Sequence, residues 1–173
     1  MACSQTLSGL TRDCTPTIGG VKAIYIANYD DVDEGGFTVT SGVITAITML
    51  NSAKFKKYYI RRGAGSMTST ANIDPATGSN YVSTELALQF SRMETTKRIE
   101  MTALLQGEVA VIVQDMNGIY WYLGYNEPVA ATAGTGETGT ARTDANQYTL
   151  TLTDNSKELP MEVDDTAVAS VIA

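Results

Sequence analysis

The sequence predicts a mainly β domain, an antiparallel β-sandwich or partial barrel with one packed α-helix and long loops. Residues 81–90 alternate between apolar and polar side chains, as in a strand with one face in a core. The dipeptide Asn117-Gly118 lies between two β-prone runs, a pattern typical of a hairpin. Residues 148–153 alternate again, with Tyr and Leu on one side and Thr on the other. Clustered strands interrupted by one helix argue against a parallel doubly wound sheet.

The chain divides into an N-terminal arm over residues 1–20, one β-rich domain over 21–163 and a C-terminal tail over 164–173. With 173 residues, 43% of them hydrophobic and 18% charged, the chain is large and apolar enough for one folded domain. The arm is rich in Ser, Thr and Gly and has no sustained hydrophobic period. The tail is small and apolar apart from two aspartates, and is predicted to be mobile or docked on a neighbour.

The first part of the domain is predicted to contain short strands around one acidic turn. Residues 21–27 predict a strand that ends at the acidic stretch 30–36, which is a turn or loop by composition. Residues 37–39 predict a second, short strand. Residues 43–50 form a β-branched run that fits either a strand or a helical turn, and the pattern does not separate the two.

A basic segment and a long polar stretch follow. Residues 54–62, with the sequence KFKKYYIRR, are the one concentrated positive patch, and their aromatic content predicts a strand. Residues 63–80 are rich in Gly, Ser and Thr and predict either an extended loop or a protruding hairpin. Long loops in compact domains often contact a partner, so this stretch is a candidate contact region.

One substantial helix is predicted over about 91–106. Ser91 and Glu94 have the spacing of a capping box, in which a hydroxyl and a carboxylate satisfy two free backbone N–H groups. Lys97 follows Glu94 at a spacing that favours an ion pair on a helix. Gly107 is a natural stop for this helix.

The second half of the domain is predicted to contain a buried strand, a hairpin and a second loop. Residues 109–113 are an unbroken apolar run, suited to a strand buried on both faces. The hairpin at Asn117 and Gly118 is predicted to use a type I′ turn, with positive φ at both residues. Residues 126–147, dominated by Ala, Thr and Gly, predict a long loop, and residues 159–163 a short strand.

Composition gives little support for covalent chemistry. The chain contains no histidine, which removes the usual general base, the Ser-His and Cys-His arrangements and the commonest metal ligand. Cys3 and Cys14 are the only cysteines, too few for a disulfide framework, and are expected to be reduced thiols. We therefore predict that the chain is not an enzyme and assign no catalytic, cofactor-binding or metal-binding residue.

Two short motifs resemble ligand sites but lack the context that their mechanisms need. The acidic run 30–34 does not have the alternating spacing or the distal glutamate of an EF-hand loop, so a solvated turn is expected. Residues 134–139 match G-x-G-x-x-G, but a dinucleotide site requires a preceding strand and a following helix. Glu137 inside the motif would also repel phosphate, so this segment is predicted to be a loop.

The charge is acidic overall and unevenly distributed. The formal charge is −7 and the pI about 4.5, which argues against a general nucleic-acid binder and a binder of anionic membranes. Residues 1–99 carry 10 Lys and Arg against 8 Asp and Glu, whereas residues 100–173 carry 2 against 11. No apolar run is long enough to span a membrane, and no secretory signal is expected.

The basic segment 54–62 has three interpretations: a nucleic-acid platform, a contact between subunits and an ordinary solvated surface. In a strand its basic side chains would be divided between two faces, which weakens the first interpretation. The expected interface also includes one residue of the stretch 63–80 and the tyrosine that follows it. The candidate subunit-interface residues are Lys54, Lys56, Lys57, Arg61, Arg62, Met67 and Tyr81.

The order of short motifs resembles the tail-tube structural proteins of phages, as in phages of Bacteroides-like hosts. The resemblance spans most of the chain and contains no catalytic motif. Its motifs are Ile18-Gly19-Gly20-Val21-Lys22, Tyr25-Ile26-Ala27-Asn28, Ser83-Thr84-Glu85-Leu86 with Phe90, Met93-Glu94-Thr95-Thr96-Lys97-Arg98, Val113-Gln114-Asp115-Met116-Asn117-Gly118, Leu123-Gly124, Thr138-Gly139-Thr140-Ala141 and Tyr148-Thr149-Leu150-Thr151-Leu152.

The resemblance implies a virion structural protein, located in the phage tail and assembled in the host cytoplasm. Copies of the chain would form a ring, expected to be hexameric, and rings would stack with other virion proteins into a conduit through which DNA passes without specific binding. The resemblance implies neither a cofactor nor a membrane partner. Two alternatives stay open: a head–tail adaptor, neck ring or capsid-decorating protein, and a carbohydrate-binding β-sandwich module.

Overall fold

The computed structural model describes residues 7–12 and 14–173, and the fold in these ranges is mainly β. Two α-helices, α1 (Thr95–Gln106) and α2 (Asp165–Val171), accompany eleven strands. The strands are β1 (Val21–Asn28), β2 (Val32–Thr40), β3 (Val43–Met49), β4 (Lys56–Tyr58), β5 (Gly65–Asp74), β6 (Ser79–Ser91), β7 (Glu108–Asp115), β8 (Tyr120–Leu123), β9 (Val129–Glu137), β10 (Gln147–Ser156) and β11 (Met161–Val163).

All eleven strands belong to one sheet that is not closed, consistent with the predicted sandwich or partial barrel. The main path runs β2-β3-β11-β8-β7-β9-β10-β6-β5, and β1 joins it through β7 and carries β4 on its other side. The pairing of β11 with β3 is parallel and the other pairings are antiparallel. Among the described strands, β2, β4 and β5 each pair with one neighbour only, so they are the edges of the sheet.

Strands β1 and β7 separate two hydrophobic cores. Core 1 lies between these strands, β6, β10 and α1, and core 2 lies between them, β3, β8 and α2. Successive side chains of β7 alternate between the two: Val111 and Val113 belong to core 1, and Ala110 and Ile112 belong to core 2. The prediction of a strand buried on both faces at residues 109–113 is therefore confirmed.

The polar stretch 63–80 forms a protruding hairpin, one of its two predicted forms. Strands β5 and β6 pair without a register shift from Gly65 opposite Leu88 to Asp74 opposite Ser79. On its other side, β6 pairs with β10 only as far as Val82, so the tip of the hairpin projects beyond the sheet. Both faces of the tip are exposed to solvent, so its polar Ser and Thr side chains stay hydrated in the strand conformation.

The interpretation of residues 164–173 as a mobile or neighbour-docked tail is wrong. This segment forms α2, and the carboxylate of Asp164 accepts a hydrogen bond from the Thr166 N–H at 3.1 Å, which caps its first turn. The Phe55 N–H donates to the Val171 carbonyl oxygen at 2.9 Å, which fixes the end of the helix to the domain. The side chains of α2 that are buried in core 2 are Ala167, Val168 and Val171.

The predicted loop over residues 126–147 is wrong in its first half, where β9 spans Val129–Glu137. Alanine and glycine have low β propensity, but they are required here because α1 packs directly on this strand. A Cβ atom at Gly134 would lie 2.6 Å from Cδ2 of Leu105 on α1. Close packing therefore decides the structure of this segment against its local propensity.

Two local motifs form differently from the prediction. Ser91 is the last residue of β6, α1 begins at Thr95, and Glu94 makes no capping bond but an ion pair with Lys97 at 3.0 Å. The predicted capping box is therefore wrong, although the helix and its end at Gln106 are confirmed. The β7–β8 hairpin is confirmed, but Gly118 has a φ of 95° while Asn117 is not in the positive region, so the turn is not type I′.

The first half of the domain contains more strand than predicted around its acidic turn. Residues 30–36 comprise the end of a 3₁₀ turn at Tyr29–Asp31 and the start of β2, whose pairing with β3 is irregular there. The undecided run 43–50 is strand β3. The strand predicted over 54–62 is shorter, because only Lys56–Tyr58 pair with β1 as β4.

Candidate functional site

Strand β4 divides the basic segment between two faces, as its alternation predicts. Phe55 is fully buried in core 2, and Tyr58 packs on core 1, so the segment is anchored on both sides of β1. Lys54 and Lys56 border a cleft of about 320 Å³ between α1 and the edge formed by β1 and β4. Lys57 lies on the opposite face, above the Tyr25 ring.

The cleft beside Lys56 contains carboxylates as well as ammonium groups. The Tyr58 hydroxyl donates a hydrogen bond to Oε1 of Glu100 at 2.6 Å, and the Asn28 amide donates to Asp31 at 3.0 Å. Burial, and then the bond to Glu100, raise the pKa of Tyr58 well above its usual range. The mixed charges of this cleft favour a polar protein surface over a simple anion.

The opposite face of the segment presents a cation next to aromatic rings. The ammonium of Lys57 lies 4.9 Å from the ring centre of Tyr59 and 5.9 Å from that of Tyr25, distances at which a cation and an aromatic face attract each other. Tyr59 is 79% exposed, so this face is available to a partner.

The basic side chains of residues 54–62 form no ion pair among the described residues. Arg61 and Arg62 lie exposed in the connection between β4 and β5. Within residues 7–12 and 14–173, the one ion pair joins Lys97 and Glu94, and none involves residues 54–62. The Lys54 ammonium donates a hydrogen bond to the Ser170 carbonyl oxygen, whereas the exposed Arg61 and Arg62 are available for a contact with acidic groups of another molecule.

The two other candidate interface residues lie elsewhere in the fold. Met67 is half-buried on β5 and lines a second cleft with Trp121 and the chain entering β1. Tyr81 is 43% exposed and lies near the root of the projecting hairpin. The seven predicted residues are thus distributed over several separate surfaces and do not form one site.

A free strand edge is the feature that the sequence did not reveal. The Gln89 N–H donates to the Ala64 carbonyl oxygen at 2.8 Å, and pairing continues from there along β5 and β6 without a shift. Antiparallel pairs alternate, so every second residue of β5 points its N–H and carbonyl away from β6. The residues of β5 with outward backbone groups are Gly65, Met67, Ser69, Ala71 and Ile73.

Of the three edges, β5 is the one without protection. Its ten residues contain no lysine, arginine or proline, and its single charge, Asp74, is at the end. Edge β4 is only three residues long and contains two lysines. Edge β2 contains two acidic residues and two register shifts. Charges, bulges and short length are the usual means by which an edge avoids pairing with another chain, and β5 has none of them.

The weak ligand motifs gain no support from the fold. No group of three or more Cys, Asp or Glu residues that could hold a metal ion occurs in the described ranges. Residues 134–137 of the glycine-rich motif belong to β9, and a turn follows instead of a helix, so a dinucleotide site is excluded there. In the acidic run, the Asp33 carboxylate accepts a hydrogen bond from the Gly35 N–H at 3.1 Å. This carboxylate is therefore engaged in a local turn.

A buried hydroxyl without a hydrogen-bond partner lies in core 2. Tyr122 is 1% exposed, and its hydroxyl has no partner among the described residues. Burial raises the pKa of Tyr122 above its usual range, so the group stays neutral. An unpaired buried polar group costs free energy that an apolar replacement avoids.

Tyr122→Phe is therefore expected to raise the free energy of unfolding by about 1 kcal/mol, measured by urea denaturation. The matched control is Tyr58→Phe, which removes a hydroxyl that is bonded to Glu100 and is expected to destabilise by about 1 kcal/mol. A loss of stability in Tyr122→Phe comparable to that of the control would contradict the expectation.

Comparisons with protein-family models, curated proteins and solved structures found no match for this chain. Within the described residues, neither α-helix has the length and apolarity needed to cross a membrane. The candidate site consequently rests on the geometry of the chain itself.

Proposed function

We propose that the chain is a self-assembling structural subunit of a virion, contributing to a phage tail tube or tail ring that forms a conduit for DNA. The observation that carries this proposal is the unprotected edge of β5 on a projecting hairpin. Such an edge offers a row of backbone donors and acceptors to a strand of another copy. The resemblance of the sequence to tail-tube proteins supports the same role.

The sheet has two different end strands, as a ring of copies requires, although β2 is better protected against pairing than β5. Strands β2 and β5 are the two ends of the main path of the sheet. When two different edges pair between copies, the row of copies still has one free edge of each kind, one at either end, and these two edges can pair to close a ring. When one edge pairs with itself, the assembly stops at two copies. The resemblance to tail-tube proteins implies a ring of six copies.

The distribution of charge supports contacts between copies. The basic side chains of residues 54–62 have no ion pair within the part of the chain that the structure describes, and residues 100–173 carry 11 acidic residues against 2 basic ones. Opposite charges on different parts of one chain attract neighbouring copies and set their orientation. An overall acidic subunit also limits adhesion to DNA, because each additional phosphate contact would add salt-dependent affinity.

The proposal is tested by the assembly state of the purified chain. Light scattering after gel filtration, over a hundredfold range of concentration, is expected to give a concentration-dependent assembly, and negative-stain electron microscopy is expected to show rings or tubes. Twelvefold or capsid-lattice symmetry would favour the neck-ring or decorating alternative. A monodisperse monomer at the highest concentration, without polymers on the grid, would contradict the proposal.

A further inference from the structure

A buried polar row crosses three strands at the root of the β5–β6 hairpin. Asp154 on β10 lies opposite Thr84 on β6, and Thr84 lies opposite Ser69 on β5. The hydroxyls of Thr84 and Ser69 are 2.8 Å apart and hydrogen-bonded. Asp154 is 2% exposed and Thr84 is 1% exposed, and they are the two buried polar residues of the described chain. Two residues beyond Thr84, at Val82, β10 stops pairing with β6 and the hairpin leaves the sheet.

The same carboxyl group also contacts the corner between β8 and β9. The Gly124 N–H donates to Oδ1 of Asp154 at 3.3 Å. Gly124 has a φ of 96°, and a Cβ there would lie 3.3 Å from Val129 and 3.4 Å from Cα of Ala110, so the corner is tightly packed. Asp154 thus joins β10, the strand that pairs with the root of the hairpin, to the corner between β8 and β9.

The groups around Asp154 disfavour its ionised form. Glu127, on the connection from β8 to β9, adds negative charge. The phenols of Tyr122 on β8 and Tyr29 before β2 also lie near this carboxyl group, and they stay neutral because burial raises the pKa of each. Burial, then the charge of Glu127, raise the pKa of Asp154 to about 6, and the Gly124 hydrogen bond only partly opposes them.

We infer that Asp154 is a proton-sensitive latch: when it is protonated, β10 stays packed on the β8–β9 corner and supports the root of the hairpin that pairs with it, and when it is ionised this support loosens. Ionisation places a charge in a buried site where one hydrogen-bond donor, the Gly124 N–H, is in reach, and the nearest means of relief is for water to enter between β10 and the corner. The hairpin root then opens more often, while the rest of the sheet is unchanged.

The sign of the pH dependence follows from the direction of the shift. Folding raises the pKa, so the folded chain binds this proton more tightly than the unfolded chain. The stability that results is complete below the ordinary carboxyl range near pH 4 and is lost as the pH rises through about 6. The hairpin root is therefore expected to open less often at pH 5 than at pH 8.

The experiment uses the full chain at a concentration where it is monomeric, so its outcome does not depend on the proposed assembly. Hydrogen exchange is expected to give protection factors for the amides of residues 82–84 and 124 that fall about 10-fold from pH 5 to pH 8, after correction for intrinsic exchange. The melting temperature is expected to fall by about 5 °C over the same range. Carbon NMR of the Asp154 carboxyl is expected to give a midpoint near pH 6.

Asp154→Asn is expected to remove both pH effects, because the amide stays neutral. The control is Asp144→Asn, at an exposed carboxyl whose pKa is lowered by hydrogen bonds from the Ala141 and Thr140 N–H groups. This control should keep the fall between pH 5 and pH 8. Equal protection at the two pH values in the unmodified chain, an NMR midpoint near pH 4, or a pH effect that persists in Asp154→Asn would each overturn the inference.

The consequence for assembly rests on the proposed function. If β5 is the strand that meets a neighbour, a loosened root makes the edge less ordered, and assembly is expected to be weaker at pH 8 than at pH 5 in the unmodified chain only. Absence of assembly at both pH values would contradict the proposed function. The hydrogen-exchange, melting and NMR measurements on the monomer would still show whether Asp154 controls the hairpin root.

Discussion

Replacing Ala71 with proline is expected to abolish assembly and to leave the fold of the monomer intact. The backbone N–H of Ala71 points away from β6, so proline removes a donor from the free edge without breaking a bond of the hairpin. Proline is tolerated in edge strands for this reason and blocks the addition of another strand. The expected result is a monomer by light scattering at concentrations where the unmodified chain forms rings, with circular dichroism and melting temperature nearly unchanged.

Two further variants show whether the effect belongs to the edge. Ala71→Val keeps the N–H and favours the strand, so it should assemble like the unmodified chain. Thr70→Pro removes an N–H that points toward β6, opposite Ser83, and should destabilise the hairpin itself. Normal rings from Ala71→Pro would show that β5 is not the assembling edge.

Removal of residues 164–173 is expected to prevent stable folding. The deletion exposes core 2, because α2 buries Ala167, Val168 and Val171 against the sheet, and it removes the backbone partners of Phe55. Burial of a valine side chain contributes roughly 1.5–3 kcal/mol, so the loss approaches the total stability of a typical domain, about 5–15 kcal/mol. We expect circular dichroism and urea titration of the shortened chain to show no cooperative transition near room temperature.

A pair of substitutions in the full chain tests the same contact with a matched control. Val168→Asp places a charge in core 2, where Val168 is 1% exposed, and should reproduce the deletion. Ala169→Asp, at the exposed neighbouring position of α2, should change stability by about 0.5 kcal/mol or less. A shortened chain that unfolds cooperatively, or equal effects of the two aspartates, would show that α2 is not part of the core.

The elements that the sequence predicted well have strong alternation or a long apolar run. Strand β6 contains Val82, Leu86, Leu88 and Phe90 at every second or fourth position, all buried, and this pattern defines both the strand and its inner face. Strand β10 was predicted for the same reason. Such patterns reflect burial on one face, which a single sequence records directly.

The elements that were missed depend on partners distant in the chain. Gly134 and Gly136 have low strand propensity, and only the proximity of Leu105 and Tyr148 explains why side chains must be absent there. Helix α2 is too short to show a clear period, and it is stabilised by contacts with β3 and Phe55. Local sequence does not encode these contacts in a recognisable form.

The candidate site could be predicted only in part. The lysines and arginines of residues 54–62 are visible as a charged run, and their division between two faces follows from alternation. The edge of β5 is free because β5 is the last strand in the order of the sheet. The same Ser- and Thr-rich segment would have no free edge if a second strand paired with it. Sheet order is set by the pairing of β6 with β10, between segments far apart in the sequence.

The parallel pairing of β11 with β3 also affects the order in which a nascent chain folds. When the ribosome has translated as far as Ser156, every strand that encloses core 1 is complete. Core 2 also requires β11 and α2, which are translated last. Ile44 and Phe55, both fully buried at the end, stay uncovered on the ribosome through most of translation. A nascent chain in which core 1 is complete and the apolar side chains of core 2 are still exposed is prone to aggregate. Chaperones that bind such surfaces during synthesis should therefore raise the yield of this protein.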